Sequence, residues 1–216
     1  MKISRNWFML LSMPVSILAL YIISYLNLGW KGAVIWSLGF AAIYFGYAVL
    51  SKDKMLLHFL LFTMIAGITE LWADKWIVET NTLFYPEGEP MLVDSPMYMP
   101  FSWVVVLMQI GYIAHLIHQK HSLLLATIAA GILGCLIIPL YEFLAIHAGW
   151  WHYANTSFWG IVPKYIYLAE GLLMLTVPIL FERSQKSKPI LIIVLGVVQG
   201  IIMLLASMVS YAIFKH

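Results

Sequence analysis

The chain has 216 residues, 62% hydrophobic and 10% charged, with a mean hydropathy of +0.90 and a formal net charge of +2. Soluble domains carry about 25% charged residues and need a polar exterior. These figures exclude a soluble enzyme and a disordered chain, and the lack of any basic block excludes a nucleic-acid binder. They describe an all-α, polytopic membrane helix bundle, one domain over residues 1–216, with no attached soluble domain. The single cysteine, Cys135, lies in an apolar run and permits no intrachain disulfide.

A helix needs about 20 apolar residues to cross hydrocarbon. Seven such segments are predicted in order: Trp7–Leu26, Ala33–Leu50, Met55–Trp76, Met99–His118, Ser122–His147, Trp159–Phe181 and Pro189–Phe214. The first follows Lys2 and Arg5 like a signal sequence, but it stays apolar for about twenty residues without a cleavage site, so we read it as a retained helix. With the N-terminus inside, the inner segments hold eight basic residues: Lys2, Arg5, Lys52, Lys54, Lys120, Arg183, Lys186 and Lys188. The outer ones hold four: Lys31, Lys75, Lys164 and Lys215. The asymmetry predicts an N-inside, C-outside bundle, expected in a bacterial inner membrane.

In that topology residues 77–98 form a long outside loop with Glu79, Glu87, Glu89 and Asp94. Its prolines disfavour a helix, and its tail, MLVDSPMYMPFSW, is expected to fold back over the bundle. A second outside loop, AGWWHYANTSFWG, reads either as an aromatic interfacial belt or as the rim of a pocket.

Acids inside apolar spans carry most of the functional information. Glu70 and Asp74 stand four apart and share a helix face; Glu142 lies near the outer end of the fifth span and Glu170 near the middle of the sixth. An ionised side chain at membrane depth costs at least about 2.5 kcal/mol. Two readings are open for each acid: a polar bond between helices, or a place in a functional cavity. For Asp74 the bland alternative is a solvated interfacial group beside Lys75. Neighbouring carboxyl groups in a poor solvent can share protons, and a neutral one is a general acid. That chemistry protonates an alkene or epoxide. Trp72, Trp76, Tyr141, Trp150, Trp151, Tyr153, Trp159, Tyr165 and Tyr167 crowd the same outer half, and aromatic faces tolerate a cation without trapping it.

His115, His118 and His121 follow an H-x-x-H-x-x-H spacing, with His58 on the same side. The spacing resembles the histidine boxes of membrane desaturases and hydroxylases, but the chain has too few histidines and too loose a pattern. We read them as surface histidines and expect no metal. His152 is expected to bond Glu142 or Asp74 at the pocket mouth. Pro139 precedes Glu142 by about one turn, and Pro163 and Pro178 flank Glu170, which predicts irregular helices beside the acids.

The stretch PLYEFLAIHAGWWHY resembles the acid-then-tryptophan signature of membrane carotenoid-processing proteins, with Glu142 as the acid and Gly149, Trp151 and Tyr153 closing the run. It departs where no proline follows Glu142 and Ile138 replaces an aspartate. Seven short helices with embedded acids also resemble the small integral-membrane terpene cyclases and the heterodimer-type lycopene cyclases. The resemblance implies two acids from different helices that protonate the substrate and shape its cation, here Glu70 with Glu142 or Glu170.

The expectation is a cofactor-free membrane enzyme, an isomerase or lyase of terpene or carotenoid biosynthesis. It would protonate a hydrophobic, isoprenoid-type small molecule drawn from among membrane lipids, for cyclisation or hydration. Glu70, Glu142 and Glu170 would be catalytic, and Asp74, Trp72, Tyr141, Trp151, His152 and Tyr167 would bind substrate. The alternatives are a proton-coupled transporter or lipophile-binding protein using the same acids, and a structural partner in a larger complex.

Overall fold

The computed structural model describes residues 4–214, so Lys2 and Lys215 of the charge asymmetry lie outside the described residues. Among the described residues seven helices are long and apolar enough to cross a membrane: α1 (Arg5–Tyr25), α2 (Gly29–Ser51), α3 (Lys54–Glu79), α4 (Met99–Lys120), α5 (Leu123–His147), α6 (Lys164–Gln185) and α7 (Pro189–Phe214). The chain is an all-α, multi-pass membrane bundle. Three helices that start at the same end have side-chain caps: Ser4, Asp53 and Ser122 accept from the backbone N–H of Trp7, Leu56 and Leu125. Asp53 also holds Arg5 at 3.0 Å, tying α1 to the turn between α2 and α3.

Several boundaries differ from expectation: α2 starts four residues early at Gly29 and α6 ends four late at Gln185, and two further differences lie at the long loops. Helix α3 runs past Trp76 to Glu79, where Lys75 and Glu79 form an i,i+4 pair at 3.0 Å. The sixth span starts at Lys164 rather than Trp159, because β5 (Phe158–Trp159) turns back on β6 (Val162–Pro163). Hydropathy does not separate an apolar hairpin from a helix. Pro163, with its fixed φ, stands at the α6 N-cap.

Helix α4 is the centre of the bundle, with 67% of its apolar window buried against 28% for α1. The most extensive packing is α5 on α6 and α3 on α7. Both contacts use close backbone approach. A Cβ at Gly134 would strike the Glu170 carbonyl oxygen and come within 2.8 Å of Met174 Cγ; one at Gly200 would meet Thr69 and lie 3.0 Å from the Ala66 carbonyl. Gly134 therefore seats the α6 backbone at Glu170 directly against α5.

A buried polar knot ties α1, α2, α4 and α5. The Gln109 amide donates to Ser16 Oγ and the Tyr44 hydroxyl, each at 2.9 Å, and its Oε1 accepts from the Tyr141 hydroxyl at 2.6 Å. Tyr44 in turn donates to Ser12 Oγ at 2.9 Å. In hydrocarbon such groups have no water to fall back on, and each bond contributes roughly 0.6–2 kcal/mol.

The two long connections meet at the opposite end from the caps. Strand β1 (Leu83–Phe84) pairs antiparallel with β4 (His152–Tyr153), Leu83 opposite Tyr153. Between β1 and α4, β2 (Met91–Leu92) folds on β3 (Ser95–Pro96), with Val93 and Asp94 taking positive φ in the turn. The loop tail does fold back over the bundle, and the joined loops form a cap over the ends of α3, α5 and α6.

Candidate active site

Under the cap, three helices bring four acids to one cavity: Glu70 and Asp74 from α3, Glu142 from α5 and Glu170 from α6. The i,i+4 spacing on α3 turns Glu70 and Asp74 the same way, as the sequence predicts. Glu70, Asp74 and Glu170 are buried, with 3%, 7% and 6% exposure, and Glu142 is half-buried. The wall between them is aromatic: Trp36, Tyr85, Trp103, Tyr141, Trp150, Trp151 and Tyr153. The space open to the centre of a water-sized sphere is about 80 Å³, within about 790 Å³ of unfilled volume counted out to the mouth. By the first measure it has room for several waters or a slender chain, not for a preformed polycycle.

The acids fall into two kinds. Asp74 Oδ2 accepts from the Tyr85 hydroxyl at 2.7 Å and from Ser95 Oγ at 2.6 Å. Glu142 Oε2 accepts from Trp151 Nε1 and the Tyr153 hydroxyl, both at 2.9 Å. Both are thus anchored from the cap. Burial and the facing Asp74 push the Tyr85 hydroxyl well above its ordinary pKa, and burial with the facing Glu142 does the same for Tyr153, so both phenols remain donors. By contrast, among the described residues, Glu70 Oε2 and Glu170 Oε2 are buried without a hydrogen-bond partner. A buried polar atom left unmatched costs about 1–3 kcal/mol, and here both lie on residues lining an open space.

Of the nine residues expected to be catalytic or substrate-binding, six line this cavity: Glu70, Asp74, Tyr141, Glu142, Trp151 and Glu170. Asp74 is not drawn to its neighbour Lys75, whose ammonium instead holds Glu79 at 3.0 Å and Asp94 at 2.7 Å outside the cavity. The structure places three others elsewhere. Trp72 is 57% exposed on the outer face of α3, since two residues on from Glu70 is about 200° around a helix. His152 does not reach Glu142 or Asp74. It sits between Trp151 and Tyr153 on an extended segment, so alternation turns it outward when its neighbours turn in, and its ring stacks on Phe84 at 5.1 Å. Tyr167 packs edge-on against Trp159, 5.1 Å away, lining a separate crevice with Pro139.

Trp36, Trp103, Tyr85 and Ser95 are cavity or anchoring residues that sequence reasoning did not single out. Only Ser95 had a signal, as a polar residue in the tail expected to fold back. The inner histidines are engaged separately. His115, expected at the surface, is instead buried, because its Nδ1 pairs with Glu182 on α6, and His58 Nδ1 meets the carbonyl oxygens of Ser184 and Gln185. Among the described residues no group of three or more His, Cys, Asp or Glu side chains converges as metal ligands do.

The cap carries its own titrating group. Glu89 is buried with neither oxygen hydrogen-bonded among the described residues, and burial pushes its carboxyl up to about 7. The nearby Tyr98 hydroxyl eases that shift without reaching hydrogen-bond geometry. Between the usual 4.5 and about 7 the docked loop holds a proton that a released loop would lose. Docking is therefore favoured fully below the lower value and weakens as pH rises through the upper one. Hydrogen exchange of residues 85–98, corrected for intrinsic rates, should quicken as pH rises from 4.5 to about 7 in the wild type, level off above that, and stay flat in Glu89→Gln. An equal slope in both proteins removes Glu89 as the cause.

The fold and the site define a class: a multi-pass helix bundle with an acidic, aromatic-walled cavity beneath a two-loop cap. The chain belongs to the family described as Domain of unknown function (DUF6989), whose model matches residues 71–214, about two-thirds of the chain. The match spans Asp74, Glu142 and Glu170 but not Glu70, α1 or α2. No curated protein and no solved structure matches the chain.

Proposed function

We propose that the protein is an integral-membrane general-acid enzyme that protonates a hydrophobic, isoprenoid-type substrate for cyclisation or hydration. The observation that carries this reading is the pair of buried, unpartnered carboxyl oxygens, Glu70 Oε2 and Glu170 Oε2, in an aromatic-walled cavity. Glu170 gives its proton to a substrate alkene carbon, and the π pair forms the new C–H bond. The resulting cation is closed by another double bond of the substrate and loses a proton to the Glu70 carboxylate, or is captured by water that loses one to it, and that proton returns from Glu70 to Glu170 for the next turnover. Asp74 and Glu142, held by the cap, stabilise positive charge as it develops.

Transport by the same acids would need a polar route onward to the far face. The bundle there is filled by the stacked rings of Phe59 and Phe181 and by Phe62, all fully buried, which supports an enzyme over a transporter. We further propose a bacterial inner membrane, with the cap on the outer side that the lysine and arginine asymmetry favours.

Membranes with and without the protein, incubated with polyprenyl lipids in D2O, test the proposal. A new cyclic or hydrated product carrying solvent deuterium at the protonated carbon is expected. Unchanged lipid profiles across linear polyprenoids would end it.

A further inference from the structure

The charge inventory of the cavity is one-sided. Glu70, Asp74, Glu142 and Glu170 line it together with seven aromatic rings, and among the described residues no lysine, arginine or histidine lines it. The nearest ammonium on α3, Lys75, is spent on Glu79 and Asp94 outside. The donors to Asp74 and Glu142, namely Tyr85, Ser95, Trp151 and Tyr153, are neutral, and a further wall donor, Trp150 Nε1, is buried without a partner among the described residues. That leaves Glu70 Oε2 and Glu170 Oε2, each on a side chain more than nine-tenths buried, without a partner.

Merely holding a neutral lipid needs none of these acids, and a site for a fatty acid or phospholipid headgroup would place its anion against four carboxyl groups. Indole and phenol faces attract cations that carry their charge on carbon-bound, weakly hydrated groups. Carboxyl groups add charge complementarity once the bound cation displaces a proton from Glu70 or Glu170 to solvent, the same proton that turnover would pass to a substrate carbon.

We propose that this cavity is a binding site for a lipophilic organic cation, a quaternary or protonated amine bearing a slender apolar tail. The charged head seats between Glu70 and Glu170 against the aromatic wall, and the tail runs toward the mouth. The inference rests on the cavity being the functional site assigned above, and it deepens that reading: a stable ammonium occupies the place of the transient carbocation. The site also has a ligand class of its own, which needs no turnover.

The test uses the full-length protein in nanodiscs of zwitterionic lipid, which has no net charge of its own to gather cations. Dodecyltrimethylammonium and its neutral isostere, in which a quaternary carbon replaces nitrogen, are titrated while tryptophan fluorescence is read. Saturable binding of the ammonium at least about tenfold tighter than the isostere is expected. The preference should fall about tenfold or more in Glu70→Gln/Glu170→Gln and persist in Glu79→Gln, which changes an exposed acid outside the cavity. Equal affinity of the two probes for the wild type overturns the proposal even if the double variant does not fold, and so does a preference that survives in a folded double variant. The two readings fail separately. A deuterated product without ammonium preference leaves the enzyme standing and removes the cation site. Ammonium preference without any product does the reverse.

Discussion

Glu170→Gln is expected to reduce turnover by about a hundred- to ten-thousand-fold while leaving a folded protein, because general acids contribute about that much and glutamine keeps the shape while withholding the proton. Glu170 Oε2 has no hydrogen-bond partner among the described residues, so the exchange breaks no bond made by that atom. Glu142→Gln should act differently. Its Oε2 accepts from Trp151 and Tyr153, so a glutamine can retain both bonds only by presenting its carbonyl oxygen. The variant should lose activity with some loosening of the cap, visible as faster exchange in residues 148–158. Full turnover in both variants would remove the acid mechanism. Loss in Glu142→Gln alone would move the proton donor to Glu142.

Gly134→Val should be the most disruptive single change in the membrane core. Its new side chain meets the Glu170 carbonyl, and backbone cannot rotate aside as the end of a side chain can. Overpacking of this kind costs about 1–3 kcal/mol, and here the displaced backbone carries the proposed acid. Stability, followed by SDS titration from mild detergent, and turnover should therefore fall together. Gly46 is the control, since a Cβ there meets nothing within 4 Å. Gly46→Ala should be neutral or stabilising by up to about 1 kcal/mol, with activity unchanged. If Gly134→Val matches Gly46→Ala in stability, the α5–α6 contact is looser than its geometry implies.

Much of this was legible in the sequence because membranes enforce simple rules. The cost of unpaired backbone in hydrocarbon makes each long apolar run a helix, and all seven were found. The cost of buried charge made Glu70, Asp74, Glu142 and Glu170 stand out, and they share one cavity. What the sequence did not disclose lies where chain segments meet over long distances. Nothing in NTLFYPEGEP announces that Leu83 pairs with Tyr153, or that Tyr85 ends on Asp74. Strands two residues long carry too little periodicity to read. The same gap misplaced His152: its residue type suits an acid partner, but only the strand reveals that Trp151 and Tyr153 face the cavity in its stead. Trp36 and Trp103 were lost among the aromatic residues of their own apolar spans.

The knot around Gln109 bears on how the protein is made. Ribosomes deliver α1 and α2 to the bilayer before α4, and this first hairpin can satisfy its own hydroxyls. Ser12 and Ser16 donate back to the carbonyls of Met9 and Met13, and Tyr44 donates to Ser12. Gln109 has no such option, since its amide donates to Ser16 and Tyr44 on the two earlier helices. When it leaves the insertion machinery, those acceptors are already in the lipid waiting for it. The most demanding side chain of the central helix thus arrives after its partners, and the order of synthesis becomes an order of assembly.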